Sequence, residues 1–198
     1  MPSVRTLLSL ATLAYRAAAG QTMCVVSNNN TSYPATNNSA DTASNTPVPA
    51  PAANYNSNDV SDAGSWQWEM LRQVNVFREA NGKGRVCLSP KMTRAAQLHS
   101  EDMSANNFFS HTGSNGSAFS DRIIAQGLSP GASSENIAAG QTSVTAVMTS
   151  WINSDGHREN LLSNAVVFGC GEEDNYWTQV FSNNAGEVAN CLVEPQNL

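Results

Sequence analysis

"AVVFGCGEEDNYWTQVFS", residues 165–182, decides the fold class. "AVVFGCG" and "YWTQVFS" carry the β-branched and aromatic residues of paired strands, and "EEDN" between them reads as a polar turn, so the stretch predicts a β-hairpin. Upstream the periodicity is helical. "WQWEMLRQVNVFREANGKG" sets Met70, Leu71, Val74 and Phe77 on one face and stops at Asn81-Gly82. "SPKMTRAAQLHSEDMSANN" opens with Ser89 as N-cap and Pro90 as first residue, and aligns Met92, Ala95, Ala96, His99 and Met103. "SDRIIAQG" is a short third helix closed by Gly127. "SVTAVMTSWINS" is a fourth, with Val144, Val147, Met148 and Trp151 on one side, and a brief "HRENLL" helix follows. Helices first and strands last, without βαβ alternation, predict an α+β fold in which helices cover an antiparallel sheet.

The chain of 198 residues is long enough for one domain with a substantial core. Charged residues make up only 13%, and the net charge of -6 argues against a nucleic-acid partner, which needs a basic face. Residues 1–20 read as a secretory signal peptide. Arg5 supplies the positive start, "LLSLATLAY" the short apolar run and "AAAG" the small residues for cleavage near Gln21, although Arg16 interrupts the pattern. No apolar run is long enough for a membrane span, so a secreted, extracellular protein is expected. Residues 21–60 contain no Lys or Arg and few large aliphatics, which predicts a disordered Asn/Ser/Thr/Pro-rich stalk. Sequons at Asn29, Asn30 and Asn37 make it a candidate glycoprotein segment. A fourth sequon, at Asn115, lies in an Asn-Gly pair that reads more naturally as a turn. The globular domain is expected over 61–198. Its four cysteines are Cys24, Cys87, Cys170 and Cys191. They allow two disulfides in any of three pairings, or one bridge and two buried thiols.

Three polar residues stand at element ends, where a rigid scaffold presents functional groups. His111 follows the second helix in "FFSHTGSNGS". Glu135 opens "ENIAAG", read as a loop, and His157 lies in "SDGHREN". Two imidazoles and a carboxylate match zinc ligand types with a position left for water. Their separation follows no metalloprotease spacing. His99, on an apolar stripe, reads as a core histidine bonded to a backbone carbonyl, with support of His111 as the alternative. Phe108 and Phe109 are expected to anchor the loop that projects His111.

The words "AAQLHSEDMSANNFFSHTGSNGS", "ENIAAGQ", "SWINSDGHRENLL", "VVFGCG" and "YWTQVF" occur in one order. Together, over residues 66–182, they resemble the CAP superfamily (cysteine-rich secretory, antigen 5, pathogenesis-related 1; SCP-like), most of all its bacterial-type branch. The resemblance implies an α-β-α sandwich with a small central antiparallel sheet, and a shallow cleft lined by two histidines and two acids. His111 matches the first histidine and Glu135 the acid of the G-E-N-[ILV] motif, with Ser134 in place of its glycine. Ser154 stands where eukaryotic members carry the second glutamate, and Tyr176 where they carry the second histidine. His157 of the "GHR" word is therefore expected in the cleft, with Tyr176 and Ser154 at the rim.

The resemblance also implies sterol or fatty-acid binding, for which Phe108, Phe109 and Phe119 are the candidate lining. The leading expectation is a secreted, non-enzymatic CAP domain that binds a small apolar ligand or an extracellular partner protein in host–microbe interaction or defence. The alternative is a metal-dependent hydrolase with zinc on His111, Glu135 and His157. A third reading makes the domain an inert scaffold for a glycosylated stalk.

Overall fold

The computed structural model describes residues 66–193 and, for their backbone, residues 24–29. The signal segment and the rest of the stalk lie outside the described residues. In chain order the elements are β1 (Cys24–Asn29), α1 (Trp66–Ala80), β2 (Cys87–Leu88), α2 (Pro90–Ala105), α3 (Phe119–Ala125), β3 (Ser133–Ala139), α4 (Val144–Ile152), α5 (Asp155–Leu161), β4 (Val167–Glu173) and β5 (Tyr176–Ser182). A 3₁₀ helix over Ala185–Asn190 follows. The fold is α+β, a three-layer α-β-α sandwich.

The sheet runs β1-β3-β5-β4-β2. Three of its four pairings are antiparallel, as expected, but β2 joins β4 in parallel, so the sheet is mixed. The hairpin turns through Asp174 and Asn175, with φ of 48° and 64°. Positive φ at both central residues marks a type I′ turn, whose twist suits paired strands. Glu172 and Glu173, expected in the turn, therefore belong to β4.

Glu135 is not in a loop. "SSENIAA" has one β-branched residue and reads weakly as a strand, yet it forms β3 because β1 and β5 both bond to it. Strand β1 itself falls inside the stretch that composition assigned to the stalk.

Period-two alternation sends side chains to two helical layers. One core unites α1, α4 and Leu161 of α5 with Ala138, Phe168, Cys170, Trp177 and Phe181 of the sheet. The other unites Met92, Ala95 and Ala96 of α2 and Phe119 and Ile123 of α3 with Val167 and Val180. Gly169 and Gly171 of β4 let α2 lie directly on the strand: a Cβ at either would strike the α2 backbone near Met92 and Gln97. Ser89 caps α2 by accepting from Met92 N, and Ser143 caps α4 by accepting from Ala146 N.

The cysteine pairing left open by the sequence resolves in part. A disulfide joins Cys87 to Cys191 across 104 residues, fastening β2 to the end of the 3₁₀ helix. Cys170 is a buried free thiol. Burial raises its pKa well above the usual range, so it is an inert core residue.

Candidate functional site

Glu135 sits opposite Val180 in the β3–β5 ladder, and its side chain therefore enters the α2/α3 layer. It is completely buried. Two elements supply its partners. Nδ1 of His111, in the loop after α2, lies 2.8 Å from Oε1. Nη2 of Arg122, on α3, donates to Oε2 at 2.7 Å and to the carbonyl of His111 at 3.2 Å. Burial alone would raise the Glu135 pKa. The Arg122 charge, the His111 hydrogen bond and the nearby His99 together bring it below the ordinary carboxylate value. With Glu135 ionised, Nδ1 of His111 is the donor, and in the neutral ring Nε2 carries the lone pair. That Nε2 is buried and has no hydrogen-bond partner among the described residues.

His99 stands behind this group. Its Nε2 donates to the carbonyl of Ser110 at 2.8 Å, next to His111, and lies 4.0 Å from Glu135 Oε1. Both readings of His99 thus meet: it is a core histidine on a backbone carbonyl, and that carbonyl fixes the loop carrying His111. Burial pulls its pKa down to about 4, so its ring is neutral at pH 7. Phe108 packs edge-on against it. The loop is tied back further by Asp102, which accepts from Ser114 N and Oγ. Asn115 accepts from Ser117 N in a local turn.

The structure brings His111 and Glu135 together but does not bring His157 to them. The His157 carbonyl accepts from Asn136, the neighbour of Glu135 on β3, whose side chain points to the opposite face. Helix α5 packs in that other layer, with Leu161 in the α1/α4 core. The His157 ring is buried and bonds Ser154 Oγ at 2.7 Å. Tyr176 shares the face of Glu135 but pairs with Ala139, four residues along the strand, roughly 13 Å away at strand rise. Phe119 is 2% exposed within the core, Phe108 and Phe109 are half-buried, and none of the three lines a described groove.

The donor set does not fit a zinc ion on His111, Glu135 and His157. Both Glu135 oxygens are committed, one to Arg122 and one to His111, so the pair act as hydrogen-bond partners and not as co-ligands. No group of three metal-binding side chains occurs among the described residues.

Sequence reasoning missed Arg122. The signal was a lone cation in a short helix eleven residues after His111, near a carboxylate with no other partner in view. It also missed why the family words travel together. Asn160 of "HREN" donates to Asn136 of "ENI" at 2.8 Å, and Asn136 donates to Gln179 of "YWTQ" at 3.2 Å. This buried amide chain welds α5, β3 and β5 together.

A groove of about 630 Å³ opens elsewhere, between the start of α1, the N-terminus of α4 and the β4–β5 hairpin. Trp66 and Trp177 meet edge to face in it at 5.6 Å, Val144 completes the apolar part of the lining, and Glu69, Thr142, Ser143, Thr145, Glu172 and Asn175 supply the polar part. Trp177 Nε1 donates to the carbonyl of Gln141 at 2.6 Å, which fixes the indole.

Comparison with known proteins agrees with this architecture. Residues 71–181 match the cysteine-rich secretory protein family, CAP. YkwD of Bacillus subtilis (strain 168) is 32% identical over 144 residues, covering 71% of this chain and 56% of YkwD. An extracellular SCP-domain protein of Bacillus anthracis superposes with a TM-score of 0.57 at 30% identity, over 59% of this chain and 39% of that one. An outer surface protein of Borrelia burgdorferi shares the fold, with a TM-score of 0.53 at 18% identity, over 59% of this chain and 90% of that one. This chain thus spans little more than half the length of YkwD and less of the Bacillus anthracis protein. No helix among the described residues is long and apolar enough to cross a membrane.

Proposed function

The chain belongs to the cysteine-rich secretory protein (CAP) family, and from that premise we propose that it acts outside the cell as a binding module for a small, largely apolar ligand, a sterol or a fatty-acid-like chain. The observation that carries this reading is the groove over the Trp66–Trp177 pair. Its volume of about 630 Å³ suits one small ligand, and its lining joins an apolar part, Trp66, Val144 and Trp177, to hydroxyl, amide and carboxylate groups that can orient a bound molecule. The aromatic lining therefore shifts from Phe108, Phe109 and Phe119 to Trp66 and Trp177. The extracellular setting of relatives such as the Bacillus anthracis SCP protein supports action outside the cell, where a ligand-carrying module would serve host–microbe interaction or defence.

No observation favours the hydrolase. A general base needs a free lone pair near a substrate-binding hollow. Glu135 has both oxygens engaged, and His111 lines neither described hollow.

The test is a titration of the full-length protein with solubilised cholesterol and with 1-decanol, an uncharged alkyl chain, followed by tryptophan fluorescence. Saturable binding of at least one is expected, weakened about tenfold in Trp66→Ala, the loss typical of a central aromatic contact. No saturable signal from either, or equal affinity in Trp66→Ala, overturns the reading.

A further inference from the structure

We infer that the ligand carries a neutral, polyhydroxylated headgroup of the sugar class, seated in a second hollow that adjoins the groove. This rests on the reading that the groove takes an apolar chain. The second hollow, of about 280 Å³, lies between the start of α1, helix α2 and Glu172 of β4. Its lining includes Trp66, Thr93, Arg94, Gln97, Glu101 and Glu172. Trp66 and Glu172 line both hollows, so one molecule lying across them would set its apolar part on one side of Trp66 and its polar part on the other.

The chemistry of the smaller hollow selects the headgroup. Thr93 is 1% exposed, yet its Oγ1 has no hydrogen-bond partner. A helical threonine commonly turns its hydroxyl to the carbonyl four residues back; here only the Thr93 backbone N–H bonds to Ser89 O. An orphaned buried hydroxyl is costly and is satisfied by a group that both donates and accepts. Arg94 meets Glu101 only at 3.5 Å, a long contact that leaves guanidinium donors for another acceptor. Gln97 is already committed: its amide spans the N–H and carbonyl of Glu172, at 2.9 Å each, and stands in for a neighbouring strand along the open edge of β4. It fixes the wall that Glu172 belongs to.

Charge excludes the other headgroups. Glu101 and Glu172 outnumber Arg94, and Glu173 and Asp174 stand next to them. Partial burial and these neighbouring carboxylates push the Glu173 pKa up, a sign of locally negative potential. A phosphate or carboxylate headgroup would be repelled. A compact cation could pair with the carboxylates but offers no acceptor to the Arg94 guanidinium donors in the same hollow. A ring of neutral hydroxyls finds donors in Arg94, acceptors in the carboxylates, a two-way partner in Thr93, and an indole face in Trp66 for its C–H surface.

Three probes test this on the full-length protein by calorimetric titration: octyl glucoside below its micellar concentration, 1-octanol, and methyl glucoside. Octyl glucoside is expected to bind about tenfold tighter than octanol, one or two added polar contacts being enough for that ratio. Thr93→Val and Arg94→Ala are each expected to shrink the advantage to about twofold or less while leaving octanol affinity unchanged. Thr93→Val keeps the side-chain shape and removes an unsatisfied hydroxyl, so the fold is retained. Octanol and octyl glucoside binding equally, or an advantage that survives both variants, overturns the headgroup assignment alone. Failure of every probe to bind overturns the groove reading and this inference with it. Binding of methyl glucoside with no gain from the octyl chain overturns the shared-ligand geometry.

Discussion

Nη2 of Arg122 lies 2.7 Å from Oε2 of Glu135, with 10% and 0% of the two side chains exposed. The pair joins α3 to the centre of the sheet through an ion pair almost wholly out of water. Removing one member leaves the other as an uncompensated buried charge, which costs about 3–5 kcal/mol. Glu135→Gln should therefore lower urea-unfolding stability by that order, even though Gln fits the space. Arg122→Met combined with Glu135→Leu should recover much of the loss, because both charges are then gone. A loss in the single variant below about 1 kcal/mol would mean that water already reaches the pair.

His99 gives the fold an acid limit. Its pKa is about 4, pulled down from 6.5 by burial. The unfolded chain thus binds one more proton than the folded chain between those values, so stability rises with pH across that window. The contribution is complete above about pH 6.5 and lost as pH falls to about 4, an effect on the order of 3 kcal/mol. Glu135, with a lowered carboxylate pKa, adds a loss of the same sign further into acid. His99→Gln can still donate to Ser110 O but does not titrate. It should flatten the stability profile between pH 4 and 6.5, read as urea midpoints at several pH values. An unchanged slope would show that His99 is not the group titrating.

The helices were legible because their apolar stripes repeat at helical spacing and Ser89, Pro90 and Gly127 mark their ends. The hairpin was legible from its β-branched and aromatic runs. Strand β3 was not, since "SSENIAA" is made a strand by its neighbours. The meeting of His111 with Glu135 followed from the family words, whereas Arg122 and the exclusion of His157 depend on which face each β3 side chain takes. That face is set by register against β5, and no local pattern around residue 157 records it. The aromatic groove was hidden for a similar reason: Trp66 and Trp177 are 111 residues apart, and only the sandwich brings them to 5.6 Å.

The "GCG" of β4 makes a sharper packing prediction. A methyl at Gly171 would run into the α2 backbone at Ala96 and Gln97, which cannot give way without lifting the helix. Gly171→Ala should cost about 1–3 kcal/mol or more, the range for overpacked cores. It should also loosen the Gln97 bonds to Glu172. Gly84 has nothing within 4 Å of an added Cβ, so Gly84→Ala should change stability by about 0.5 kcal/mol or less. Thermal melts of the two variants check the contrast, and equal melting points would overturn the close approach of α2 to β4.

Arg78 holds the far end of α1. It is 2% exposed and spends its guanidinium on four carbonyls: Nε on Gly84 at 2.8 Å, Nη1 on Leu161 at 2.7 Å and Ser163 at 3.0 Å, and Nη2 on Ala165 at 3.0 Å. Burial lowers its pKa, but an arginine stays charged, and the fan of carbonyl dipoles is what accommodates the cation. The bonds fasten the end of α1 to the segment between α5 and β4. Lysine offers three donors on one nitrogen and cannot reach the same spread, so Arg78→Lys should cost about 2–4 kcal/mol, and Arg78→Met, which orphans all the acceptors, at least as much. Trp66 begins the same helix, about 18 Å away at helical rise. Ligand affinity measured in the folded fraction should therefore stay at the wild-type value. A variant that keeps full stability would show that water replaces the guanidinium. One that keeps its stability but loses ligand would move the role of Arg78 from the scaffold to the groove.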